Sequence, residues 1–245
     1  MNMPTYCFVR GVSIAAALAV CLAAAVREQK PEEPPPRVVT PGRAPGQPPS
    51  DAVILFDGKD MSEWALRDGS PVKCTVDAGI MLCKTGAGNI YSRKQFKRAQ
   101  IHLEFLPPFM PAQKGQARGN SGVYLHGRYE VQILDSYNNP TYANGSAGAL
   151  YGTAAPLVNA SRPPDQWQTY DLVFRAPKCD ADKVVEPGRV TLLFNGVLVL
   201  DGVAIRHRRD CPGETGPLML QDHDYKGAPM THMRFRNVWY RPLDE

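Results

Sequence analysis

Helical periodicity is nearly missing from this chain of 245 residues. Apart from a short candidate turn at residues 60–64, no stretch repeats its apolar residues every three or four positions, which removes helical folds from consideration. No GxSxG elbow, phosphate-binding loop or dinucleotide fingerprint occurs, and "GAGN" at residues 86–89 is too short to count, so serine-hydrolase and nucleotide chemistry drop out. There is no CxxC spacing of a zinc site, and the aspartates near His223 match no calcium loop; neither metal nor cofactor is expected. Charge of one sign is not massed anywhere: 28 basic and 24 acidic residues leave a formal +4, dispersed along the chain, and a nucleic-acid partner is not indicated. No internal repeat stands out.

The one long apolar run lies near the start, where Arg10 precedes "GVSIAAALAVCLAAAV", too short to span a bilayer comfortably. It reads as a signal peptide over residues 1–25 with cleavage after Ala25, so the mature chain is expected not to insert in a membrane. The alternative is a lipoprotein signal with Cys21 as lipid acceptor, against which Val20 stands where a smaller residue is expected. Either way the protein is expected to be exported, periplasmic or extracellular. Residues 26–50 are rich in proline and poor in large apolar groups, the composition of a disordered linker. From Asp51 to Glu245, 195 residues remain, enough for one domain of sandwich or barrel type.

That domain consists of short segments bounded by glycine, proline or asparagine, among them "CTVDAGIMLC", "QIHLEFLPPF", "SGVYLHGRYEVQIL" and "QTYDLVFRAP". Many short strands with regular turns mean an all-β sandwich or barrel. The clearest hairpin is residues 189–202, where Asn195 and Gly196 supply the positive backbone angles of a type I′ turn. Its flanks are apolar on both phases, which argues for a central pair covered on two sides. A two-residue turn at Ala78 and Gly79 sets Cys74 opposite Cys83 within disulfide reach, and Cys179 with Cys211 follows by elimination.

Two strands present carboxylates on a polar phase. In residues 100–106, Ile101, Leu103 and Phe105 alternate with His102 and Glu104; in residues 129–133, Tyr129, Val131 and Ile133 alternate with Glu130 and Gln132. Asn120, Arg128 and Asp135 crowd the second of these. Such a face, with Tyr124, Tyr137, Tyr142, Tyr151 and Trp167 as stacking candidates, suits the hydroxyls and ring faces of a sugar. Asp135 falls an odd number of residues from Glu130, so a two-carboxylate glycosidase is not supported, and one well-placed base is the better reading. A second polar knot, "LQDHDY" at residues 220–225, offers His223 as a proton donor near neutral pH.

In order, "LFDGKDMSEW", "GNSGVYLHGRYEVQILDSY", "NASRPPDQWQTYDLVFRAP", "VTLLFNGVLV", "GPLMLQDHD" and "MRFRNVWYRPL" resemble the 3-keto-disaccharide hydrolase family over nearly all of residues 53–243. The resemblance implies a single-domain concanavalin A-like jelly-roll β-sandwich acting on 3-keto-glucosides or 3-keto-disaccharides. A ketone at carbon 3 acidifies the proton at carbon 2 and permits elimination of the group at carbon 1, with or without later hydration. Glu130 is then the expected base and His223 the expected acid. The substrate contacts expected are Glu104, Asn120, Tyr124, His126, Arg128, Gln132, Asp135, Gln221, Asp222 and Arg236. A two-residue turn at Gly127 would keep His126 away from Glu130's face, while a longer one could bring them together. The rival reading is a non-catalytic, lectin-like carbohydrate-binding module, since one sandwich fold serves both functions.

Overall fold

A computed structural model describes residues 1, 35–206, 211, 213–223 and 232–243. The expected signal peptide, with Ala25 and Cys21, lies outside the described residues, as do Asp224 and Tyr225. Residues 39–245 form one compact unit. Among the described residues, fifteen strands follow in order: β1 Val53–Phe56, β2 Trp64–Ala65, β3 Thr75–Asp77, β4 Ile80–Lys84, β5 Ile90–Phe96, β6 Arg98–Leu106, β7 Asn120–Leu125, β8 Tyr129–Leu134, β9 Gln168–Arg175, β10 Lys178–Asp180, β11 Lys183–Glu186, β12 Arg189–Phe194, β13 Val197–Ala204, β14 Gly216–Leu220 and β15 His232–Pro242.

They pair antiparallel into two stacked sheets and a small β10–β11 ribbon. The back sheet runs β13-β12-β9-β6-β15-β4-β3, with β1 also on β15; the front sheet runs β2-β5-β14-β7-β8. This is a jelly-roll sandwich, and the chain is all-β as expected. Alternation places the core between the sheets. Ile101, Leu103 and Phe105 from β6, Tyr170, Leu172 and Phe174 from β9, and Val123, Leu125, Tyr129, Val131 and Ile133 from β7 and β8 are all fully buried there. The Tyr170 hydroxyl crosses the core and donates to the Gln132 carbonyl at 2.5 Å.

The local turn readings hold. Ala78 and Gly79 both have positive φ, and the register Thr75 to Leu82 carries Cys74 opposite Cys83 with Cα atoms 4.4 Å apart, the spacing of a non-hydrogen-bonded pair. Cys179 is bonded to Cys211 as well. Asn195 and Gly196 turn the β12–β13 hairpin, each with positive φ. No helix among the described residues is long and apolar enough to cross a membrane.

Three readings differ. The β12–β13 hairpin is not central: β13 is the sheet's edge, and Leu193, Val197 and Leu198 stay exposed, so two apolar phases marked an edge strand half covered by the loop at Leu157. Residues 60–64 are not helical; Asp60 caps a turn by accepting from the Ser62 amide, and the described helices are single 3₁₀ turns at Gly115–Ala117 and Ala143–Gly145. The end of the proline-rich stretch is ordered. Residues 40–50 close into a loop through Ser50 N donating to Thr40 O and Thr40 N donating to Ser50 Oγ, and that loop lies on the outer side of the back sheet.

Candidate functional site

The turn between β7 and β8 has three residues, 126–128, because Leu125 pairs with Tyr129. That register sets Tyr124 directly opposite Glu130 and Gly122 opposite Gln132. Met219 of β14 stands between Tyr124 and Tyr91 of β5, so Tyr91, Met219, Tyr124 and Glu130 form one row across the outer face of the front sheet. Glu130 thus sits outward on the front sheet rather than in the core, with its chain neighbours Tyr129 and Val131 fully buried on the other phase.

Gly122 gives that carboxylate its place. A Cβ there would fall 2.7 Å from Glu130 Oε1 and 2.8 Å from the Tyr124 ring, so the side chains of Glu130 and Tyr124 close over a position that only glycine leaves open. Burial pushes the Glu130 carboxyl above its ordinary range, opposed by a hydrogen bond from the Tyr124 hydroxyl. Tyr124 in turn accepts from Gln221 Nε2 at 3.1 Å, and the Gln221 amide is tied to the Gly122 carbonyl.

The loop after β8 folds back along that strand. Gln132 N donates to Ala149 O, Gly148 N to Gln132 O and Tyr151 N to Glu130 O, which extends the front sheet by an irregular ribbon. The ribbon carries Tyr151, and the approach to it carries Tyr142, their hydroxyls 2.6 Å apart. Tyr142 lies over Gly145, where a Cβ would collide with its ring. Its phenol is pushed up to about 12, by burial first, then by Tyr151 and by the charge of Glu130. Glu130 is therefore edged by Tyr124 on its own sheet and Tyr142 from the returning loop.

The other expected residues separate by sheet and depth. Asn120 and Gln132 are 4% and 1% exposed, too covered to meet a sugar; Gln132 Nε2 donates to Asn120 Oδ1 and Gln116 Oε1, and Asn120 Nδ2 to Gln116 O. This amide ladder seats Gln116, which the sequence reading missed and which donates on to Thr141 and the Gly145 carbonyl beneath Tyr142. Asp135 is buried in an ion pair with Arg118 and accepts from the Tyr137 amide, so it clamps the loop rather than facing a ligand. His126 is also corrected: the three-residue turn sends its ring into the core, 4.8 Å from Phe174 and 5.3 Å from Phe96. Arg128 stays at the surface and lines a cavity of ≈ 450 Å³ with Tyr91, Arg67 and Pro217.

Glu104 and Arg236 belong to the opposite side of the molecule. They pair in register on β6 and β15, with Arg236 Nε donating to Glu104 Oε2 at 2.7 Å and the guanidinium 4.1 Å from the Trp167 ring, all on the back sheet's outer face. The core lies between them and Glu130. Asp222 accepts from the amides of Gly86 and Gly88, so it fastens the 86–89 loop. His223, just past β14, lines a cavity of ≈ 20 Å³ with Asn120, Gln221 and Asp222 at one end of the sandwich. Among the described residues no group of three or more His, Cys, Asp or Glu is placed to hold a metal.

Residues 51–241 match the family model described as a 3-keto-alpha-glucoside-1,2-lyase-like domain. Among solved structures, a provisionally assigned glycosyl hydrolase from Parabacteroides distasonis is 38% identical, with a TM-score of 0.80 over 86% of this chain and 93% of that one. A second such protein from the same organism shares 20% identity at a TM-score of 0.59, over 79% of this chain and 94% of its own, which bears on the fold alone. No curated protein matches the chain.

Proposed function

The chain belongs to the family of 3-keto-alpha-glucoside-1,2-lyase-like domains, and from that premise we propose that it is an exported enzyme cleaving 3-keto-glucosides, with Glu130 as its base. The observation that carries this reading is the position of one up-shifted carboxylate on the outer face of the front sheet, edged by tyrosines and lying over a glycine. A carboxylate raised toward neutrality is a better proton acceptor than an ordinary one, while burial keeps competing water away. Both disulfides fit an oxidising compartment.

In the proposed reaction the Glu130 carboxylate takes the proton from carbon 2. The electron pair left behind is delocalised onto the ketone oxygen at carbon 3 as an enolate. Collapse of the enolate forms the carbon 1–carbon 2 double bond and breaks the bond from carbon 1 to the glycosidic oxygen. That oxygen leaves with a proton from Tyr142, whose hydroxyl is in turn hydrogen-bonded to Tyr151. Tyr124 holds Glu130 in place and, by donating to its carboxylate, opposes the burial that pushes that group up. Addition of water across the double bond would complete a net hydrolysis. His223 lies at the end of the sandwich, lining the small cavity with Asn120 and Gln221.

The test is release of a chromogenic aglycone from a 3-keto-glucoside, with the unoxidised glucoside as control. Release from the oxidised compound alone supports the reading; retained sugar affinity without release would make the domain a binding module. For the proton donor, Tyr142→Phe should slow compounds with poor leaving groups more than those with good ones. If His223→Asn shows that pattern and Tyr142→Phe does not, the role passes to His223.

A further inference from the structure

Three arginines stand side by side on the outer face of the back sheet. Arg98 of β6 is in register with Arg175 of β9, and Arg175 with Arg189 of β12. Like charges directly opposite on neighbouring strands cost stability, a cost that the charge of Glu186 offsets in part at Arg175 and Arg189. They line one wall of a cavity of ≈ 350 Å³, to which Lys97 and Lys178 also contribute. Two carboxylates, Glu186 and Glu214, share the lining; Glu186 is ion-paired with Lys178 at 2.6 Å and Glu214 with Lys97 at 3.7 Å. Among the described residues, five cations against two anions leave the recess net positive by three, in a chain whose whole formal charge is +4.

The walls are built to stay in place. The Cys179–Cys211 disulfide joins β10 to Cys211, ahead of β14, and Arg189 Nη1 is fixed by donating to the Gly202 carbonyl at 2.8 Å. Planar guanidinium groups in a row match the paired oxygens of carboxylate or sulfate, and their weak hydration makes them easier to desolvate than ammonium groups.

We propose that this recess is a binding site for an acidic saccharide unit, one bearing carboxylate or sulfate, separate from the face that carries Glu130. Its volume is of the order of one sugar with its substituent, and a recessed wall is ill shaped for a flat membrane surface. Gly213 borders both this cavity and the one beside Arg128 and Tyr91, so a single oligosaccharide passing the 213–216 segment could touch both. The site stands whether or not Glu130 acts as a base.

Calorimetric titration of the whole protein with a sulfated disaccharide and with its unsulfated counterpart is the test, with inorganic sulfate and phosphatidylglycerol vesicles as parallel arms. The sulfated sugar should bind about tenfold tighter than the neutral one, and rising sodium chloride should erase the difference. Arg175→Gln should weaken it about tenfold while melting no lower than the wild type, because the central like charge is gone; Arg175→Lys should recover only part of the affinity. Equal binding of the two sugars, or affinity untouched by Arg175→Gln, overturns the site. Vesicle binding without sugar binding overturns it in favour of a lipid surface, and inorganic sulfate binding as tightly as the disaccharide overturns the saccharide assignment.

Discussion

Glu104 and Glu130 occupy equivalent outward positions on strands of opposite sheets, yet the sandwich drives their protons in opposite directions. Burial works on both. At Glu104 it is overcome by hydrogen bonds and charge: Asn237 Nδ2 donates at 3.0 Å, Arg236 Nε at 2.7 Å, and His102 stands 3.7 Å away, which together hold the carboxyl at about 2. At Glu130, among the described residues, the Tyr124 hydroxyl alone opposes burial, and the carboxyl stays up. A carboxylate saturated with donors is a fastener, because taking a proton would break every bond it makes. One donor over a cleared glycine leaves a lone pair available for chemistry.

The back-sheet cluster completes the contrast. His102 is 1% exposed, its Nδ1 2.7 Å from Asp171 and its ring stacked on Trp239. Above it lies Gly46, whose carbonyl accepts from both Asn237 Nδ2 and Trp239 Nε1 at 2.8 Å. Gly46 has φ +79 and a Cβ there would fall 2.9 Å from the imidazole, so glycine is required on both counts. On the front face Tyr142 and Tyr151 stay open among the described residues, 49% and 36% exposed.

Removing each carboxylate separates the two roles most sharply. Glu130→Gln should lower turnover on a 3-keto-glucoside by about a thousandfold, the usual loss for a positioned base, while thermal stability holds or rises because a desolvated charge is gone. Glu104→Gln should leave turnover near wild type and cost on the order of 2 kcal/mol of stability, measured by denaturant unfolding. Exchange of these outcomes between the two variants would reverse the assignment of the faces.

Gly122→Ala probes the same contrast from below. The added methyl meets Glu130 Oε1 and the Tyr124 ring at 2.7 and 2.8 Å, and both side chains must move. Turnover should fall by about one to two orders of magnitude, with KM changed less, since a displaced base loses rate more than binding. Wild-type turnover in this variant would show that the observed carboxylate position is not the working one.

Stability against pH should carry the signature of the back-sheet cluster. Glu104 is lowered from 4.5 in the folded state, so its contribution is present above 4.5 and is lost as pH falls toward about 2. His102 is raised above 6.5: burial disfavours its charge, but Asp171 and Glu104 more than compensate. Its contribution is present below 6.5 and is lost as pH rises through the folded value. Glu104 and His102 are then both in their favourable states between roughly 4.5 and 6.5. His102→Gln should flatten the alkaline side of the melting-temperature profile and, because His102 also helps to hold Glu104 down, move the acid limb to higher pH.

Much of this was legible in the sequence, and the failures share one cause. Alternation identified β6 and β8 and the outward phase of both carboxylates, while the turns at Ala78–Gly79 and Asn195–Gly196 fixed two hairpins and one disulfide. Each depends on residues within about ten positions. Which sheet a strand joins does not, so Glu104 and Glu130 looked alike until the topology put the core between them. One extra residue in the turn after Leu125 decided the fate of His126. The loop at residues 40–50 had linker composition and is held by Asn237 and Trp239, 191 and 193 residues away. The tyrosines were visible as candidates, but only the ribbon returning along β8 selects Tyr142 and Tyr151 over Trp167, which lies under Arg236.

The smallest expected effect tests the single donor that Glu130 retains. Tyr124 opposes the burial that raises this carboxyl, so Tyr124→Phe removes the opposing bond and moves the carboxyl further up. In kcat/KM against pH the acid limb reports ionisation of the free enzyme's base, and activity rises as that base loses its proton. The limb should therefore shift to higher pH in Tyr124→Phe, with the high-pH plateau lowered only a few-fold if Tyr124 positions the base and does no more. A limb that stays where it is while the plateau collapses would make Tyr124 itself the group that meets the substrate, and Glu130 its partner.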